Sequence, residues 1–133
     1  MSALRTHAET AEWTTFERFD PAAWPRDALR WCYLVSPETT GSGEFEMGLC
    51  RLPPGGVHLR HHHRARAELY FFTAGRARVT LGEEEFEAGP GAAVYIPRGM
   101  THGFATVGAE PVEVVYVYDV PAGLTRPDTF WDE

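Results

Sequence analysis

Five of the six histidines of this chain, His58, His61, His62, His63 and His102, fall between positions 58 and 102. Side chains alternate across a β-strand with a period of two, so His61 and His63 share one side while His62 takes the other. A chelating pair therefore exists before any detail of the fold is known. Glu68 opens the apolar run Glu68 to Thr73, which reads as a return strand after a short turn through Arg64 to Ala67 and can bring its carboxylate beside the pair. His102 must arrive from further along the chain, after the turn signal Pro97-Arg98-Gly99. Three imidazoles and one carboxylate suit a divalent first-row ion of the manganese, iron, cobalt, nickel or zinc type. Such a set leaves coordination positions free when the ion takes five or six ligands, and open positions are what catalysis requires.

An isolated His-x-His pair would carry little weight, because solvated loops and adventitious sites have the same look. Here the flanking residues agree with it. Gly55, His61, His63, Glu68 and Gly75 form the pattern G-x5-H-x-H-x4-E-x6-G, and Gly91, Pro97, Gly99 and His102 form G-x5-P-x-G-x2-H. In these residues the chain resembles a small single-domain cupin of the RmlC-like type. Nine of the ten defining positions of the two family motifs match. The departure is Thr106, where the family usually has Asn; that Asn is not a ligand, so the change bears on local strand geometry and not on the metal. The 15 residues Arg76 to Pro90 between the motifs resemble the short spacer of compact microbial members.

The resemblance implies an all-β jelly-roll barrel, the double-stranded β-helix, as one domain over residues 1–133 with its motifs at 55–75 and 91–106. It implies His61, His63, Glu68 and His102 as ligands of one divalent transition metal ion, with iron first and manganese, nickel, zinc or cobalt as alternatives. It also implies a homodimer formed through edge strands, since an open barrel of this size has edges that need covering.

The elements that must position these residues read as short strands separated by Gly and Pro. Candidate strands are Thr14 to Phe19, Leu29 to Val35, Glu44 to Leu52, Val57 to His63, Glu68 to Thr73, Arg76 to Leu81, Glu84 to Glu87, Ala92 to Ile96, His102 to Val107 and Val112 to Tyr118. Breaks fall at Gly41-Ser-Gly43, Pro53-Pro-Gly-Gly56, Gly82-Glu83 and Gly89-Pro-Gly91. Regular short strands of this kind indicate a sandwich or barrel. Asp20 to Ala28 is long enough for one helical turn at most, and Met1 to Ala11 and Ala122 to Glu133 read as mobile or partner-contacting ends. Parity along the strands sends Tyr70, Phe72 and Phe104 inward with the ligands. Tyr70 is the candidate for a catalytic group that does not bind the metal, since a phenol beside a divalent ion can donate or accept a proton; its alternative role is simply to fill the barrel. His58 and His62 are assigned to the surface, with a supporting or acid/base role as the alternative. Phe45, Met47 and Leu49, alternating with Glu46 and Gly48, read as core, and Trp13, Trp24, Trp31 and Trp131 as packing or dimer-contact residues.

Composition bounds the chemistry further. A chain of 133 residues makes one domain, and 44% hydrophobic with 13% aromatic residues is ordinary for a globular protein. The formal charge of -7 argues against nucleic-acid or anionic-membrane partners. The basic cluster Arg60, Arg64 and Arg66 beside the ligands suits a small acidic ligand, or solubility. The first residues lack the apolar core of a signal peptide, so a cytoplasmic protein is expected. All 12 basic residues are arginine, which excludes Schiff-base chemistry on lysine and lysine-held pyridoxal phosphate. Three serines, none in a G-x-S-x-G setting, and Cys32 and Cys50 within apolar runs leave no nucleophilic triad. The two cysteines read as buried thiols and not as a disulfide.

Three functions fit. The first, which the resemblance implies when the metal is iron, is a mononuclear dioxygenase acting on a small metabolite that chelates the ion through neighbouring oxygens. The second is a non-redox isomerase, lyase, decarboxylase or polyketide cyclase in which the ion is a Lewis acid only and Tyr70 or a metal-bound water moves the proton. The third is a non-catalytic module that binds a small ligand or stores metal.

Overall fold

The computed structural model describes residues 4–133, and its regular elements are strands together with one 3-10 turn, Ala8–Thr10. The strands are β1 (Trp13–Thr14), β2 (Arg30–Val35), β3 (Phe45–Leu52), β4 (Val57–His62), β5 (Glu68–Ala74), β6 (Arg76–Leu81), β7 (Glu84–Ala88), β8 (Ala93–Ile96), β9 (His102–Val107), β10 (Val112–Asp119) and β11 (Phe130–Trp131). They form two antiparallel sheets, ordered β1-β2-β3-β10-β5-β8 and β11-β4-β9-β6-β7. Successive strands repeatedly change sheet, and the result is the expected all-β jelly roll. Among the described residues no helix is long and apolar enough to cross a membrane.

Period-2 patterning explains which faces meet. Along β10, Val112, Val114 and Tyr116 are buried while Glu113, Val115 and Val117 face outward. Tyr70 and Phe72 of β5, Val79 of β6 and Phe104 of β9 point into the same interior, as parity requires. Gly75 makes the sheet-changing corner between β5 and β6 at φ 72, where a Cβ would lie 2.3 Å from the Pro111 carbonyl oxygen, so the corner needs glycine twice over. The acidic stretch behaves as a solvated edge: β7 is an edge strand, and Glu85 and Glu87 pair across the hairpin with Arg78 and Arg76. Thr106 leaves β9 regular, its hydroxyl donating to the Pro53 carbonyl at 2.7 Å and its N–H to the Gly56 carbonyl at 3.1 Å.

Four expectations need correction. Thr14 to Phe19 is not a strand beyond Thr14, because the Phe16 carbonyl accepts from the N–H of Phe19 and of Asp20 and turns the chain so that Phe16 drops into the core. Phe45, Met47 and Leu49 are not core. Phe45 is 61% exposed whereas Glu46 is 1% exposed. The register sets this: Glu46, Gly48 and Cys50 lie opposite Tyr118, Tyr116 and Val114 of β10, whose inward side is fixed by the core. Residues 122–133, read as a mobile or partner-contacting end, instead run back along the barrel and pair β11 with β4 through Phe130↔His62 and Trp131↔His61. At the other end, Thr6 donates to the Leu34 carbonyl at 2.8 Å, while Met1 to Ala3 lie outside the described residues. His58 is the fourth correction and belongs to the site. Cys32 and Cys50 are both buried free thiols; Trp31 pairs with Cys50, so Cys32 faces the opposite side of the sheet.

Candidate metal centre

His61 sits on β4 directly opposite His102 at the start of β9, His63 follows immediately after β4, and Glu68 begins β5 in the other sheet. The site is thus closed from both sheets. The ligand nitrogens of His61, His63 and His102 all lie within 4.8 Å of one another, and all three residues are buried. Nitrogens on opposite sides of one ion would stand about 4.2 Å apart, and neighbouring ones closer, so the cluster is already near the size a single ion demands. Glu68 Oε1 lies 3.1 Å from His102 Nε2 and 3.4 Å from His63 Nε2. The structure brings all four sequence-derived ligand candidates together.

Their tautomers follow from what surrounds the rings. The Nδ1 atoms stand 2.6 Å from the Leu59 carbonyl for His61, 2.6 Å from the Asp128 carbonyl for His63 and 2.9 Å from the Met100 carbonyl for His102. A carbonyl oxygen can only accept, so each Nδ1 carries a hydrogen and each ring presents Nε2, the atom whose lone pair would bind a metal. Backbone carbonyls are the usual outer partners of metal-bound histidine. Burial, followed by the neighbouring His58, His102 and His63, keeps the His61 pKa well below its ordinary value, which holds that lone pair free. Burial alone would raise the Glu68 carboxyl, but hydrogen bonds from His102 and His63 outweigh it and keep the group ionised far below the usual carboxylate range. Three clustered imidazole nitrogens, which yield any Nε2 hydrogen when a metal binds, and an adjoining carboxylate fit a divalent cation, and these residues can hold one.

The surrounding wall holds groups that parity did not reveal. His58 is 4% exposed and lines the same cavity, with its ring 4.3 Å from that of His61. A register shift between His58 and His61 turns both inward although their numbers differ in parity. Asp27 makes the shift tolerable: one oxygen takes the Leu59 N–H at 2.8 Å and the His58 Nδ1 at 2.8 Å, and the other takes the Leu29 N–H. Neither Asp27 nor the shift has a local sequence signature. His62 faces outward as expected, paired with Asp132 and stacked on Phe130.

Two phenols approach the cluster. Tyr70 is buried with its ring 5.9 Å from that of His102. The Tyr118 hydroxyl lies 3.1 Å from His63 Nε2, so Tyr118, the next inward position of β10 after Val114 and Tyr116, is the nearer phenol. Burial, aided by Glu68, pushes both phenols well above their ordinary pKa, which makes them donors. The returning C-terminal segment supplies the Asp128 carbonyl and places Trp131 at 5.6 Å from the His61 ring.

The family described as the cupin domain matches residues 48–118, more than half of the chain. The chain belongs to the cupin family. Among curated relatives, this cupin is 30% identical to protein SchB of Streptomyces halstedii over 95 residues, covering 71% of this chain and 67% of that protein. Among solved structures it resembles the polyketide cyclase RemF of Streptomyces resistomycificus, with a TM-score of 0.77 and 22% identity over 97% of this chain and 84% of that one. It also resembles the oxalate decarboxylase of Bacillus subtilis, with a TM-score of 0.75 and 21% identity; the match takes in 98% of this chain and 32% of that one. These structural likenesses establish the fold.

Proposed function

We propose that this cupin is a mononuclear metal-dependent enzyme acting on a small metabolite that offers neighbouring oxygens as chelating groups. One observation carries the reading. Three buried imidazoles, each held at Nδ1 by a backbone carbonyl, bring their ligand nitrogens within 4.8 Å of one another, and the Glu68 carboxylate stands against two of them. A divalent ion bound there would act as a Lewis acid on the chelating oxygens.

Within that reading, the residues favour proton-transfer chemistry over redox chemistry. The Asp27 carboxylate fixes His58 so that its Nδ1 side is occupied, and the other ring nitrogen is left for the cavity that His58 lines. A histidine oriented by a buried carboxylate can hold or pass a proton. The Tyr118 and Tyr70 hydroxyls are the other donors within reach, Tyr118 at His63 Nε2 and Tyr70 against the His102 ring. Phe16, Phe19, Leu29 and Trp31 make part of the cavity wall apolar, which strengthens each polar contact inside. A non-redox lyase, isomerase, decarboxylase or cyclase uses all of these groups. The names of two structural neighbours, a polyketide cyclase and an oxalate decarboxylase, lean the same way. The dioxygenase chemistry placed first from sequence draws only on the ligand set.

The test is elemental analysis of protein purified without added metal or a His-tag, beside His61→Ala and Glu68→Ala. Near-stoichiometric zinc, nickel or manganese, lost in both variants, is the expected result. Near-stoichiometric iron with substrate-dependent dioxygen uptake would move the assignment to the dioxygenase. A native protein that neither contains nor takes up a divalent metal would end the metal reading and leave a ligand-binding barrel.

A further inference from the structure

The cavity that reaches the histidine cluster continues to a second polar group that the metal reading does not use. Arg66 lies in the turn between β4 and β5, is 5% exposed and lines this cavity. Its Nε and Nη1 have no hydrogen-bond partner among the described residues. Its guanidinium lies over the Tyr118 ring, 3.9 Å from the centroid, and the hydroxyl of that same ring touches His63 Nε2. One phenol therefore spans the distance from Arg66 to the metal-binding nitrogens.

An arginine buried to this degree requires compensation, and its two nearby carboxylates supply it only in part. Asp128 Oδ2 is 3.5 Å from Arg66 Nε and Glu46 Oε2 is 3.9 Å from Arg66 Nη1, both too long for hydrogen bonds at those nitrogens. Each carboxylate is committed elsewhere. Asp128 accepts the N–H groups of Arg64 and Ala65, and Glu46 is gripped by Arg126, which also holds Glu38. Arg126 is thus saturated by two carboxylates while Arg66 keeps donors in reserve. A buried cation with spare donors on the wall of a metal cavity is suited to an anionic oxygen of the ligand.

Resting on the metal-dependent reading above, we infer that the substrate of this cupin carries a carboxylate, received by Arg66, about one aromatic ring away from the oxygens that chelate at His61, His63, Glu68 and His102. Arg66 is then a specificity residue: it selects acids among chelating metabolites and fixes which end of the molecule enters first. Of the basic cluster seen in the sequence, only Arg66 has this placement. Arg60 is exposed and paired with Glu133, and Arg64 lies over Phe130.

A probe pair separates the two halves of the inference. 3,4-Dihydroxybenzoate and catechol present the same chelating oxygens, but only the first has a carboxylate across the ring. Binding of each to zinc-loaded protein is measured by calorimetry, with zinc chosen because it brings no redox chemistry. The native protein is expected to prefer the acid by roughly tenfold or more. In Arg66→Met that ratio collapses towards one, and in Arg66→Lys it falls to an intermediate value because a point charge replaces the planar donor set. Melting curves show which variants are folded; should Arg66→Met not fold, Arg66→Lys and the native ratio decide. Zinc binding without a preference for the acid, or a preference unchanged in the folded variants, overturns the role of Arg66 and leaves the metal reading intact. If the protein takes up no zinc, the metal reading fails by itself. The same pair and variants on zinc-free protein then decide the carboxylate site, with loss of the acid preference in Arg66→Met supporting it and its persistence overturning it.

Discussion

Asp27 shows how one buried carboxylate can serve both fold and site, since it holds the Leu59 N–H freed by the register shift in β4 and orients His58 at the cavity. Burial opposes its ionisation, but the charge and hydrogen bond of His58 and the N–H groups of Leu29 and Leu59 outweigh burial and set its pKa below the usual value. A carboxylate with a depressed folded pKa adds stability that is fully present above the unfolded carboxylate pKa, about 4, and is lost as pH falls through the folded value. Urea unfolding between pH 7 and pH 3 should therefore show an acid-side loss to which Asp27 contributes. Asp27→Asn should be less stable by about 3 kcal/mol at pH 7 and should lose less on acidification. Parallel pH profiles for the two proteins would remove this role. None of it was legible at position 27, because a carboxylate that satisfies a shifted strand 32 residues away leaves no local pattern. The four ligand candidates were legible because their spacing is their signature, and the inward placement of Tyr70 followed from Glu68 by parity.

At the level of the strands, period-2 alternation located β2 to β10 and failed where something other than a regular ladder set the direction of side chains. It misassigned β3, where Phe45, Met47 and Leu49 alternate as a core strand would while Glu46 is neutralised inside by Arg126. It missed β11, whose two residues are too few to show a period. Gly48 is the point on β3 where the true register can be tested: a Cβ there would lie 1.9 Å from the Cys32 carbonyl oxygen and 2.7 Å from the Tyr116 ring. Gly48→Ala should cost more than about 3 kcal/mol in chemical denaturation, since backbone of β2 and a buried ring of β10 would both have to move. A near-neutral effect would show that β3 does not face this way. The C-terminal segment offers a second test, because its Asp128 carbonyl fixes the His63 tautomer and Trp131 covers His61. Ending the chain after Arg126 leaves all four ligand candidates in place. It should still weaken metal binding roughly 10- to 100-fold in competition with a chromophoric chelator, the range seen when outer partners of ligands are removed. Unchanged affinity would show that the segment merely covers the barrel.

Across the whole molecule, the inverted alternation of β3 turns from an error of reading into information about assembly. Met47 and Leu49 lie in register beside Val117 and Val115 of β10, which lie beside Leu69 and Phe71 of β5, which lie beside Tyr95 and Ala93 of β8, while Phe45 lies opposite Asp119 at the margin. The outer face of the larger sheet is therefore apolar across four adjacent strands, with Phe45 and Tyr95 both 61% exposed. Charge is confined to its margins in the pairs Arg51 with Glu113 and Arg98 with Asp119. A contiguous apolar face with a charged rim is the pattern of a protein interface and not of a solvated surface. A second copy of this chain is the occupant that such a face suits best. Two-fold packing sets apolar centre against apolar centre, buries no unpaired charge and lets each rim carry both signs. The homodimer expected from sequence through edge strands is thus proposed through the sheet face instead, on the side of the sheet away from the metal cavity. Light scattering at tens of micromolar should give a dimer mass. Phe71→Arg combined with Tyr95→Arg should give a monomer that still binds metal, because neither side chain reaches the interior. A native monomer at that concentration would refute the dimer outright. A double variant that remains dimeric would send the interface back to the edge strands.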